Sequence, residues 1–106
     1  MAYDVRIAPA AERAIGKLSP GTQGAVLDKI AELGREPRPV DCRKIRALPA
    51  RYEIYRVEAE STHRILYQIK DESAWILVVK VADRNDVYKP ISDLKRLLER
   101  TSSEVG

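Results

Sequence analysis

The sequence predicts an α+β domain with an N-terminal strand, a helical hairpin, an antiparallel β-meander sheet and a short C-terminal helix. Three observations predict it. Apolar residues recur at helical spacing between Pro9 and Gly34. Beyond the linker prolines Pro37 and Pro39 the period falls to two in three successive segments. The two connections between those segments are short enough for hairpins. The 106 residues suit one domain over 1–106 that can hold a core without disulfides or metals.

Tyr3-Asp4-Val5-Arg6-Ile7 alternates apolar and charged residues, as a half-buried strand does. Pro9 fits a first helical turn, and Ala11, Ala14, Ile15 and Leu18 form the apolar stripe of a first helix, weakened by Gly16. Ser19-Pro20-Gly21 breaks the chain, with Ser19 as the expected cap of a second helix. There Val26, Ile30 and Leu33 share a face with Leu27 beside them, and Gly34 is the expected stop. The strand candidates are Tyr52 to Val57, His63 to Ile69 and Trp75 to Val81, joined through Glu58 to Thr62 and Lys70 to Ser73. Alternation predicts Ile54, Ile65, Tyr67 and Ile69 on the core face, with Arg64, Leu66 and Gln68 on the other. Pro90 opens a closing helix with Ile91, Leu94, Leu97 and Leu98 on one side, and 101–106 reads as a frayed tail.

Composition excludes several classes. With 44% hydrophobic and 33% charged residues, the chain has the make-up of a folded soluble protein rather than a disordered one. No 18-residue apolar run is present and the N-terminus enters a strand pattern directly, so neither a membrane span nor a signal peptide is expected. One cysteine, Cys42, fits a reducing, cytoplasmic setting, and with one histidine a zinc site is not expected, nor is any other cofactor.

The net charge of +3 is unevenly placed. From Met1 to Cys42, six Lys/Arg balance six Asp/Glu. From Arg43 to Arg56, five Lys/Arg face only Glu53. Such a block suits a polyanion or an acidic partner. The cations a twisted sheet can gather are Lys44, Arg51, Arg56, Arg64, Lys80 and Arg84, and Tyr88 follows the last by four residues. Arginine offers phosphate a planar, permanently charged fork. Ordinary structural roles compete: Arg64 can pair with Glu53 or Glu60, Tyr88 can bury its ring, and His63 can be a solvated strand residue. No base stands near Cys42 in sequence to make it a nucleophile.

The order of Lys44-Ile45-Arg46-Ala47, His63-Arg64-Ile65-Leu66-Tyr67 and Arg84-Asn85-Asp86-Val87-Tyr88 resembles the RelE/ParE toxin superfamily, and the RelE branch most. The resemblance covers nearly the whole chain, from Tyr3 to Tyr88. It implies a toxin of a type II toxin–antitoxin system that cuts messenger RNA in the A site of the 30S subunit, without a metal. A RelB-like antitoxin would silence it, and operator DNA would be bound only through that complex. By the same match Arg64 would stabilise the scissile phosphate, Arg84 would assist charge or leaving-group stabilisation, and Tyr88 would handle the nucleotide or its 2′-hydroxyl. Lys44, Arg46, Arg51, Arg56 and Lys80 would hold RNA, with His63 a further catalytic candidate. The chain departs from the branch at Glu53 and Tyr55, where a lysine or arginine is usual, and His63 replaces a tyrosine. The departures keep open a ParE-like gyrase poison, and a degenerate toxin that mainly binds antitoxin and DNA.

Overall fold

The computed structural model describes residues 3–45 and 53–83. Over those residues the order is β1 (Asp4–Ile7), α1 (Pro9–Gly16), α2 (Pro20–Arg35), β2 (Arg43–Lys44), β3 (Ile54–Ala59), β4 (His63–Lys70), a 3₁₀ turn (Asp71–Ser73) and β5 (Trp75–Asp83). The expected closing helix and tail lie outside the described residues.

The five strands form one sheet in the order β1-β5-β4-β3-β2. β2 to β5 pair antiparallel, as the meander requires, whereas β1 joins β5 in parallel. The helical hairpin carries the chain back between β1 and the rest of the sheet, which lets the first strand lie beside the last.

α1 and α2 cover one face. Ala11 and Ile15 of α1 and Val26, Ile30 and Leu33 of α2 pack on Val57, Ile65, Tyr67, Ile69, Ile76 and Val78. Each aliphatic side chain buried there contributes about 1.5–3 kcal/mol. Leu27, expected beside the α2 stripe, is 43% exposed and outside this cluster. The opposite face is apolar as well, with Ala8, Ile45, Ile54, Leu66, Leu77 and Val79 in a second buried cluster. Ile54 therefore lies on the face away from the helices, contrary to the sequence expectation. It pairs directly with Gln68, and cross-strand partners share a face.

Two helix-end assignments also change. Ser19 stands at the N-cap, but its hydroxyl donates to Thr22 Oγ1 at 3.1 Å rather than capping the backbone. Gly34 does not stop α2, which continues through Arg35. It is instead a point of close approach: a Cβ there would stand 3.0 Å from Val5 Cγ2 and 3.3 Å from the Tyr3 carbonyl oxygen. That carbonyl-side contact accompanies a 2.7 Å hydrogen bond from the Tyr3 amide to the Gly34 oxygen, which ties α2 to the start of β1.

The β3–β4 hairpin is tighter than the sequence suggests. Glu60 and Ser61 take left-handed conformations, with φ of 55° and 57°, so β3 extends through Ala59 and leaves three residues in the turn. At its other end, Glu53 has φ of 49°, and β3 starts at Ile54 rather than Tyr52. The lengthened strand turns Glu58 from a loop residue into a sheet residue.

Candidate nucleic-acid interface

Alternation and register place the cations of the sheet. On β3, Arg56 and Glu58 share the face of Ile54, away from the helices. On β4 that face carries Arg64, Leu66 and Gln68, because Glu58 stands opposite Arg64 and Arg56 opposite Leu66. On β5, Ala82 faces Arg64 and Lys80 faces Leu66. Lys80 owes its position to a register shift between Leu66 and Tyr67, which leaves Val79 as the additional residue of β5. Without that bulge strict alternation would send Lys80 to the helix side. At the sheet edge Arg43 pairs with Arg56. One face thus carries Arg43, Arg56, Arg64 and Lys80 on four neighbouring strands.

A carboxylate, Glu58, stands among them. Glu58 Oε1 accepts from Arg64 Nε at 3.3 Å and lies 3.2 Å from Arg64 Nη2. The same oxygen is 3.7 Å from Arg56 Nη1. The arginine side chains are 25% (Arg56) and 21% (Arg64) exposed and Glu58 is 40% exposed, so solvent reaches the pairs and each contributes only about 0.2–1 kcal/mol. Both guanidinium groups address one oxygen. This is a weaker geometry than two parallel bonds from a fork to two oxygens. Glu58, which Arg64 contacts here, is neither of the acids expected from sequence, Glu53 or Glu60.

Other candidates are placed elsewhere. His63 pairs with Ala59, a residue of the helix-side core, so it lies on the face opposite Arg64 and shares a 3.0 Å hydrogen bond with Thr62 Oγ1. Lys44 pairs with Tyr55, also on the helix side, and its Nζ is 3.8 Å from Glu53 Oε1. Arg46, Arg51, Arg84 and Tyr88 lie outside the described residues. Arg43 and Glu58 join the face without having been singled out. Arg43 stood in the basic block, but its alignment with Arg56 depends on the β2–β3 register. Glu58 depends on the hairpin length.

Tyr55, at a departure from the family pattern, has a structural role. Its hydroxyl donates to Glu53 Oε2 at 3.3 Å and accepts from Arg38 Nε at 3.4 Å, and the Arg38 guanidinium stands 5.3 Å from its ring centroid. Arg38 also grips Asp71 through two bonds of 3.2 and 2.9 Å, and the Tyr3 hydroxyl donates to the same carboxylate at 2.7 Å. This strap joins the residue before β1, the linker after α2, β3 and the turn before β5. The Arg38 bonds, followed by that from Tyr3, pull the Asp71 carboxyl down to about 2 from its ordinary 3.8. A carboxylate with a depressed folded-state pKa contributes stability that is present above its unfolded value and lost as pH falls through the folded one. The melting-temperature gap between wild type and Asp71→Ala is therefore expected to be full at pH 6 and to close between about pH 4 and pH 2. A gap independent of pH over that range would remove the charge pair as its cause.

Beneath the strap, Tyr67 donates to the Pro37 carbonyl oxygen at 2.8 Å, and burial raises its pKa well above the usual phenol range. The bond anchors the proline linker to β4.

Three comparisons bear on this geometry. The chain is 33% identical over 90 residues to Toxin RelG of Mycobacterium tuberculosis, a match covering 84% of this chain and 99% of that protein. It superposes with a TM-score of 0.67 and 28% identity on a chain in the toxin–antitoxin complex RelBE2 from the same organism, covering 79% of this chain and 100% of that one. A mutant of the Escherichia coli toxin RelE in the free state gives a TM-score of 0.68 at 22% identity, over 95% and 98% of the two chains, and supports the fold alone. No family model matches the chain.

Proposed function

This chain belongs to the RelE family of toxins, and on that premise we propose that it is a ribosome-dependent endoribonuclease that cuts messenger RNA in the A site. It is the toxin of a RelBE-type toxin–antitoxin system, with a RelB-like antitoxin as its cognate partner. Work on the 30S subunit would place it in the cytoplasm. Among the described residues no helix is long and apolar enough to cross a membrane.

One observation carries the nuclease reading: four cations from four adjacent strands, Arg43, Arg56, Arg64 and Lys80, share one sheet face. Cutting RNA at its own ribose requires the 2′-hydroxyl to lose its proton and its oxygen to attack phosphorus. The bond to the 5′-oxygen then breaks and that oxygen gains a proton. The phosphorane between these events carries additional negative charge, and fixed cations stabilise it. Arg64, mid-sheet and held by its β-ladder, is proposed to take the scissile phosphate. Arg56 would supply the second-strand charge that Glu53 and Tyr55 do not, with Arg43 and Lys80 following the flanking backbone. Arg84 and Tyr88 are proposed, from the family motif, for the departing oxygen and the nucleotide. His63 and Lys44 belong to the opposite face and are proposed at most as outlying RNA contacts.

Induction of this chain without its partner is expected to arrest growth through translation. Primer extension should map new 5′ ends inside translated regions, and coexpression of the antitoxin should remove them. Intact messengers accompanied by gyrase-linked DNA breaks would replace this reading with the ParE-like one. Growth without either change would leave a binding-only toxin.

A further inference from the structure

The cation face holds a carboxylate between two of its arginines. Glu58 stands directly across the β3–β4 ladder from Arg64 and two residues along β3 from Arg56, so all three side chains leave the same face. Its Oε1 receives Arg64 at 3.2 and 3.3 Å and Arg56 at 3.7 Å. Both forks thus meet Glu58 at one oxygen, short of the paired contact that a guanidinium offers to the two oxygens of a carboxylate. We propose that Glu58 is an intramolecular counter-anion for the Arg56–Arg64 pair, and that a phosphodiester of single-stranded RNA enters by displacing it.

The inference rests on this face being the RNA-binding one, and it adds a residue and a step to that reading. The exchange balances: one singly charged anion leaves and another enters, with no bond made or broken. A phosphodiester presents two non-bridging oxygens, so it can engage two guanidinium groups separately where Glu58 brings one oxygen to both. The carboxylate is 40% exposed and can swing into solvent on its three side-chain torsions without breaking the ladder. Without RNA it limits the repulsion between two adjacent guanidinium groups. It also weakens the capture of stray polyanions, since a ligand must first break two ion pairs. RNA already positioned by other contacts is best able to do so.

The test separates binding from cleavage. Binding of a labelled single-stranded 2′-O-methyl RNA, which cannot be cut by its own 2′-oxygen, is measured at low salt for wild type, Glu58→Gln and Glu12→Gln. Glu12→Gln makes the same change in net charge on α1, on the helix-covered side. Glu58→Gln is expected to bind about five-fold tighter, the factor that relief of a partly exposed ion pair allows, with Glu12→Gln within about two-fold of wild type. In the wild-type protein the carboxyl carbon resonance of Glu58 should also move as RNA saturates the site. Unchanged or weaker binding by Glu58→Gln, or equal tightening by Glu12→Gln, would overturn the exchange. So would a Glu58→Gln protein that binds as wild type but no longer cuts, because that pattern makes Glu58 a proton acceptor. Tightened binding with transcripts left uncut by wild type would uphold the exchange and remove the nuclease reading. Cut transcripts without tightening would do the reverse.

Discussion

Arg64→Ala is expected to lower messenger cleavage by about 10²–10³-fold, the usual loss when one preorganised donor to a developing negative charge is removed. The side chain projects from the second residue of β4 with neighbours on both sides, Glu58 on β3 and Ala82 on β5, so its base is fixed before RNA arrives. Its ion pair is solvent-accessible and contributes little to folding, so the melting temperature should stay within a few degrees of wild type. Arg64→Lys should recover only part of the rate, because lysine restores the charge without the planar fork. Cleavage would be followed by primer extension in a translating extract at matched protein concentration. A full-rate Arg64→Ala protein would take this arginine out of the site. Arg56→Ala serves as an internal comparison: a loss of similar size would mark the two as one phosphate clamp.

How much of this was legible in sequence depended on parity and register. Within β4, alternation correctly joined Ile65, Tyr67 and Ile69 and set Arg64 on the other face, since only the period of two was needed. The same rule separates His63 from Arg64, as consecutive strand residues point oppositely. Ile54 failed because the sheet is buried on both faces, so being apolar does not say which face a residue joins; the pairing with Gln68 does. Glu58 was hidden by the hairpin. Nothing in Glu58 to Thr62 marks the two left-handed residues that shorten the turn to three and bring Glu58 opposite Arg64. Lys80 required a bulge, and bulges arise from pairing between strands rather than from either sequence alone. The parallel joining of β1 to β5 and the close approach at Gly34 are likewise products of packing. Arg84 and Tyr88 are proposed from the family motif alone, since periodicity cannot address them and they lie outside the described residues.

The helix-covered face predicts the largest change in stability, and two leucines of α2 isolate it. Leu33 is fully buried among Val26, Ile30 and the sheet, whereas Leu27, six residues earlier on the same helix, is 43% exposed. Leu33→Ala removes buried aliphatic carbons and leaves a void that close-packed neighbours refill only in part, at a cost of about 2–5 kcal/mol. That is a large share of the roughly 5–15 kcal/mol that holds a small domain folded, and corresponds to a melting temperature lower by about 10 °C or more. Leu27→Ala should cost within about 0.5 kcal/mol, since little apolar area is exposed by the change and alanine favours a helix slightly. The pair holds chemistry and helix identity constant, so their difference measures burial alone. Because α2 covers the face opposite Arg56 and Arg64, folded Leu33→Ala protein kept well below its melting temperature should bind RNA as wild type does. Equal melting temperatures for the two variants would contradict the packing of α2 described here. Weakened RNA binding by folded Leu33→Ala protein would show that the two faces of the sheet are coupled.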